Sequence, residues 1–453
     1  MRIGIVGTGV SGLYLAMRLA EAGHSVELFG PPTGYGGNMD TARFEIGGVE
    51  RFADLGVNDF NASTYKRLLA WLDKLGVAYL PLEDTTSFFS FDGATLYTTD
   101  GANGTAMPPD IAADFKRFQD EAPKDATRPE FAHLTVGEYV ARKAYGEAFI
   151  RTNLLPRINA MYYCHDLGAE TMPFRAVMIY YALQEGFGGQ TPRRMYFKHG
   201  SASWTRALTE AGQKAGVKLH LGPMPEIYAN GESVRLKLPD GDAVFDAVVC
   251  ALHANDVVAA VREGLTAADV AVLAGVRYFN SRVYVHQDAS LLPVHVNAWR
   301  SFNVAIRSGG NGLLPFSMTY VENRHQNDAC NPRFDHYLTP TFFTTLNPIK
   351  PVQPNLILND VRGQPVSASF PHNTLDLASF ARQRYVHDRL QGRAGLFFVG
   401  GWTKGAGLQE ECLLSADFVF DKLHTPSAED PHLWQHGRDE PGVPDYFRQA
   451  VNA

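Results

Sequence analysis

The chain opens on Met1-Arg2-Ile3-Gly4-Ile5-Val6 and passes at once into Gly7-Thr8-Gly9-Val10-Ser11-Gly12. A short apolar strand running into Gly-x-Gly-x-x-Gly, with a helical pattern directly behind it, admits few folds. It is the opening of a β-α-β unit that binds a dinucleotide. Gly7 serves the tight turn, Gly9 lets the backbone approach a pyrophosphate, and Gly12 lets the helix pack close to the strand. Val10, Ser11 and Gly12 then open a helix whose free N–H groups favour negative charge. Twenty residues after Gly7, in the second strand Ser25-Val26-Glu27-Leu28-Phe29, stands Glu27. It is the carboxylate expected to accept hydrogen bonds from a ribose diol.

A chain of 453 residues has room for two or three domains. Its net charge of −7 is mild at this length and argues against nucleic acid as a main partner. Cys164, Cys250, Cys330 and Cys412 stand far apart, with no Cys-x-x-Cys pair. This gives neither a metal signature nor a disulfide framework, and it suits a reducing cytoplasm. With the first strand at residue 2, no signal peptide is expected. No apolar run reaches the ~18 residues of a spanning helix, which leaves only peripheral membrane contact open. The sequence carries no signal for an oligomeric state.

Three further segments belong with the first. Gly34-Tyr35-Gly36-Gly37-Asn38 follows the second strand, where a chain passing close to a pyrophosphate and a ribityl group needs glycine. The strand Asp246–Leu252 leads to His253. The strand Gly395–Val399 leads through Gly400-Gly401-Trp402 to Gly405-Ala406-Gly407-Leu408-Gln409-Glu410-Glu411, where a last helix starts. A helix N-terminus there suits the negative edge of a reduced flavin. These features point to noncovalent FAD rather than NAD. The fold class expected is α/β: a Rossmann-like FAD-binding domain from residues 1–75, 196–265 and 386–425, with an inserted α+β substrate domain from 76–195 and 266–385. Residues 426–453 read as a polar tail.

The collinear set Gly7-x-Gly9-x-x-Gly12, Glu27, Gly36-Gly37, Gly400-Gly401 and the last helix resembles the flavin-dependent amine oxidase and phytoene desaturase superfamily. It is most similar to bacterial NAD/FAD-binding proteins with an amine oxidase domain. Asp54-x-Gly56-Val57-x-x-Phe60-Asn61, Val285-His286-Gln287-Asp288, Thr319-Tyr320-x-x-Asn323-Arg324-x-Gln326 and Thr345-Leu346-Asn347-Pro348 carry that likeness over roughly residues 1–422. The resemblance implies a small-molecule substrate lying against the flavin. It also implies a lysine near flavin N5, within the stretch Asn280–Val285, but this chain has none there and Arg282 is the nearest cation. The family's Gly-Phe-His-Glu-Asp-Gly is Gly407-Leu408-Gln409-Glu410-Glu411-Cys412 here.

Glu410 and Glu411 are the candidate bases, because carboxylates at that helix start would meet the flavin or the substrate. His165, beside Asp166, is a third candidate. Tyr162, Tyr163, Trp299 and Tyr320 are candidate walls of the substrate pocket, with helix or sheet core as the competing role for each. Three functions fit. The leading one is hydride removal from a carbon of an apolar, lipid-like substrate, giving a desaturated or isomerised product. The second is oxidation of a small amine or amino-acid derivative, which calls for an aromatic cage. The third is FAD binding without net redox turnover, as an isomerase or accessory protein.

Overall fold

The structure is a computed structural model that describes residues 1–162, 168–185, 192–306, 317–331, 334–335 and 339–424. Its first layer is a five-stranded parallel sheet. The order is Lys218–Leu221, β2 (Ser25–Gly30), β1 (Arg2–Val6), Ala247–Cys250 and Leu396–Phe398. From Ile3 to Val6 every residue of β1 is buried, as expected of a strand covered on both faces. Helix α1 (Val10–Glu21) follows β1 and is buried over most of its surface. It lies between the sheet and the helices Ala202–Lys214 and Gln409–His424. The α/β class and the Rossmann-like opening are as the sequence indicates.

A second, seven-stranded sheet stands over the cavity. It runs Ser367–Thr374, Arg277–His286, Phe343–Leu346, Ser317–Val321, Phe302–Ile306, Thr86–Ser90 and Thr95–Thr98. All its pairs are antiparallel except Phe302–Ile306 with Thr86–Ser90. Phe88, Val283, Val285, Val304, Met318, Tyr320 and Leu346 contribute to its core. Between the two sheets the short strand Arg194–Phe197 pairs with Asp59–Asn61 on one side and Tyr79–Pro81 on the other. Helix α2 (Lys66–Leu75) ends where Gly76 takes a left-handed backbone (φ 68°), the stop visible in the sequence.

Buried Asp54 ties these parts together. It accepts hydrogen bonds from Thr41 Oγ1 (2.5 Å), Ser201 N (2.7 Å) and Gln326 Nε2 (2.7 Å). Burial nonetheless pushes its pKa up to about 6. Among the described residues no helix is long and apolar enough to cross a membrane.

Candidate active site

One cavity of about 730 Å³ runs from the C-terminal ends of β1 and β2 to the underside of the second sheet. Its first half is a surface of backbone. Gly9 precedes α1 with no side-chain cap, so the first N–H groups of the helix face the cavity unshielded. A Cβ added to Gly9 would meet no protein atom within 4 Å and would project into this space. Gly7 and Gly12 are closed positions by contrast. A Cβ on either would approach a backbone oxygen, Ala251 O or Gly7 O, to 2.1 Å. Gly36 joins the same surface through its N–H to Thr8 O (2.8 Å), and Gly37 and Asn38 line the wall beside it.

The turn Gly400–Gly407 closes this half, and Gly400, Gly401, Gly407, Leu408 and Gln409 all line the cavity. Gln409 is buried, yet neither its amide oxygen nor its nitrogen has a hydrogen-bond partner. An orphaned amide of this kind matches the alternating donors and acceptors of a flavin pyrimidine edge. With the open cradle at Gly9, it makes this half of the cavity one whose residues fit a flavin cofactor. Cys412 also lines the cavity, and burial pushes its thiol up to about 12, far from a reactive thiolate.

Several residues that the sequence puts forward for the site prove to be scaffold. Glu27 does not reach the cavity. Its carboxylate is held by Arg2 Nη2 (2.8 Å) and His220 Nε2 (3.0 Å). Burial would raise its pKa, but these partners outweigh that and hold it below the usual range. The reason is register: β2 continues to Gly30, so Glu27 sits about 10 Å short of the strand's C-terminal lip. Glu410 accepts the N–H groups of Arg67 (2.8 Å) and Leu68 (2.9 Å), which makes it the cap of α2. Glu411 accepts those of Ala406 (2.9 Å) and Leu408 (3.1 Å) and holds the glycine turn. Neither carboxylate lines the cavity. Trp299 donates its indole N–H to Pro293 O (2.8 Å) and packs with Val321 and Phe343, so it is core, not pocket wall. Arg282 is exposed, and of its strand only Tyr278 lines the cavity. His165 and Tyr163 lie outside the described residues.

Tyr162 and Tyr320 do line the second half. The Tyr162 ring stands 5.2 Å from that of Tyr180, and Tyr320 stands 5.5 Å from Phe302. Sequence reasoning missed what lies among them. Asp59, Asp84, Arg157, Glu185 and Arg194 all face this end. Arg194 bonds Asp59 Oδ1 (2.7 Å) and Glu185, with Asp84 Oδ2 3.5 Å from its Nε. Arg157 Nη1 bonds Glu185 Oε2 (3.2 Å), while its buried Nε has no partner. A wide π-type turn, Tyr181–Glu185, presents Gln184 and Glu185 to the cavity. Behind the Phe302–Tyr320 wall, His325 lies 3.4 Å from Asp59 and 3.8 Å from Glu322. Burial would lower the His325 pKa, but these two carboxylates outweigh it and lift it to about 9. No local spacing in the sequence marks this cluster, because its members come from separate elements.

The pattern of the flavin containing amine oxidoreductase family matches residues 10–267. A curated relative, the flavin-dependent L-tryptophan oxidase RebO of Lentzea aerocolonigenes, is 34% identical over 100 residues. That match covers 22% of this chain and only 21% of the relative's length. Among solved structures, one assigned as a protoporphyrinogen oxidase from Exiguobacterium sp. 255-15 has a TM-score of 0.65 at 15% identity, over 94% of this chain and 99% of the other. Putrescine oxidase bound to putrescine gives 0.64 at 13%, over 93% and 99%. The CLA-producing fatty acid isomerase from P. acnes gives 0.61 at 16%, over 92% and 97%. At these identities the three structures share the fold.

Proposed function

Because the chain belongs to the flavin-containing amine oxidoreductases, we propose that it is an FAD-dependent oxidoreductase acting on a small amine that also bears a carboxylate. The observation that carries this reading is the charged cluster at the far end of the cavity. Three carboxylates and two guanidiniums face it, an excess of acid that suits a cation. Arg157 keeps an unpartnered Nε, as a receptor for the carboxylate of the same molecule would. Tyr162 and Tyr180 supply the aromatic faces on which an ammonium group rests. A purely apolar chain would leave the unpartnered Nε of Arg157 without an acceptor, which is costly.

Noncovalent FAD, when bound, supplies the acceptor for a hydride from the carbon bearing the amine. The protein positions the reactants and manages the proton. The N-terminus of α1 and the Gly9 cradle would hold the pyrophosphate, and the Gln409 amide would pair with the pyrimidine edge. Arg157 and Tyr162 set the substrate against the ring. Asp84, whose carboxyl burial pushes above its ordinary range, is the member of the cluster suited to take the amine proton.

The second reading is hydride removal from an apolar substrate, with desaturation or isomerisation. It is favoured by the wall of Phe88, Met161, Val304 and Met318. One experiment separates the two. Under anaerobic conditions, amino acids and simple amines are compared with fatty acids for bleaching of the flavin's visible absorption. Bleaching by amino acids supports the first reading, and bleaching by fatty acids alone replaces it with the second. Arg157→Gln should then raise KM for a carboxylate-bearing amine and leave its decarboxylated analogue unaffected. Equal effects on both would make Arg157 structural. Peroxide release in air distinguishes an oxidase from a dehydrogenase.

A further inference from the structure

Dinucleotide sites of this kind hold the adenosine ribose with an acid at the end of the second strand. Here the residue at that lip is Gly30. Its backbone is not in the positive-φ region, so its conformation would accept any residue. Thr8 is what forbids a side chain. A Cβ on Gly30 would stand 2.4 Å from Thr8 Cγ2 and 2.6 Å from Thr8 Oγ1. The side chain of Thr8, from the turn after β1, therefore fills the space that a residue on β2 would otherwise use.

Thr8 lines the cavity and is buried by the protein. Its hydroxyl donates one long hydrogen bond, to Gly34 O (3.3 Å), which leaves two acceptor sites. Glu27, the nearest carboxylate on the strand, is engaged by Arg2 and His220. We propose that the Thr8 hydroxyl takes the place of the missing acid as the ribose-contacting group, and that Thr8 and Gly30 together set the affinity for the adenosine half of the cofactor. The inference rests on the FAD reading above. A neutral hydroxyl holds a ribose less strongly than a carboxylate does, so this end of the cofactor is bound more loosely than an acid would bind it.

The test is calorimetric titration of the full-length apoprotein with FAD, ADP and FMN. Thr8→Val keeps the shape and removes the hydroxyl. Affinity for FAD and ADP should fall about five- to tenfold, with FMN unchanged because it has no adenosine. Thr8→Gly opens the space over position 30. Adding Gly30→Glu to that variant should tighten FAD and ADP about tenfold, whereas Gly30→Glu alone should weaken both. The inference is overturned if T8V leaves FAD affinity unchanged, if T8V weakens FMN as much as FAD, or if the double variant binds no tighter than T8G. A wild-type apoprotein that takes FMN but neither FAD nor ADP overturns the FAD reading itself, and this inference with it.

Discussion

The two ends of the cavity are built on opposite plans. At the dinucleotide end the surface is backbone: Gly9, Gly36, Gly37, Gly400, Gly401 and Gly407 meet the cavity with almost no side chain between them. At the substrate end the surface is side chain: Asp59, Asp84, Arg157, Glu185 and Arg194 converge from two short strands, a loop, a helix and a π-type turn. A pyrophosphate asks for N–H groups and room, and a contiguous motif can supply both. A particular small molecule asks for charges at particular points, and those require distant segments to meet. The first end can therefore be shared by many enzymes, while the second belongs to one.

The largest effect should come from breaking the backbone end. At Gly9 a Cβ would meet no protein atom, so Gly9→Val should leave the fold intact, at about 1 kcal/mol for the poorer N-cap of α1. It should lower FAD affinity by about three powers of ten or more, because the side chain occupies the pyrophosphate's space. An affinity within tenfold of wild type in equilibrium dialysis would show that the cradle is not the cofactor site.

At the side-chain end the same kind of single change should strike stability instead. Arg194→Met strips Asp59 of its guanidinium and leaves Glu185 with only that of Arg157. Removing one partner of such a buried set costs about 3–5 kcal/mol, read from urea denaturation. Arg194→Met with Asp59→Asn should recover part of that loss. If R194M unfolds at the wild-type midpoint, the cluster is solvated and the contrast between the two ends is lost.

His325 gives the cluster a pH signature that the glycine end lacks. Its folded pKa of about 9 lies above the ordinary 6.5. Its contribution to stability is therefore complete below pH 6.5 and is lost as the pH rises through 9, amounting to about 3 kcal/mol. His325→Gln should remove that decline in denaturation curves taken across this window. A decline of equal size in the variant would assign it to another group.

The smallest effect sharpens the contrast from the other side, since an acid at the dinucleotide end should be scaffold. Glu410→Gln weakens the cap of α2 and should cost about 1 kcal/mol of stability. Stopped-flow reduction of the flavin by a verified substrate should proceed at the wild-type rate. A fall of two powers of ten or more would return Glu410 to catalysis.

What the sequence made legible follows the same division. The glycine motifs are contiguous, and their spacing is imposed by close backbone approach, so the cavity's first half could be read from the chain. Glu27 misled because counting from Gly7 locates a strand but not its end. Glu410 and Glu411 stand on the expected helix, but successive residues of a helix point about 100° apart. With Gln409 turned to the cavity, its two neighbours turn to α2 and to the glycine turn. Trp299 has the composition of a pocket wall, yet Pro293 O satisfies its indole inside the second sheet's flank. The charged cluster was invisible for a stronger reason. Arg194 and Asp59 are 135 residues apart, and nothing local to either announces the other.

The strand order of the parallel sheet also sets a schedule for the nascent chain. Ala247–Cys250 lies between β1 and Leu396–Phe398, and its outer partner is made almost 150 residues later. At ribosomal speeds of about 5–20 residues per second, that interval is roughly 7–30 s. Throughout it the inner strand carries an open edge, the kind of surface that recruits stray strands from other chains. The closing strand also brings Gly400–Gly407, so the cofactor's last wall arrives with the sheet's last strand. Cofactor supply can thus act on the yield of native protein only once residues 396–407 have been made, when one event both seals the edge and completes the cradle.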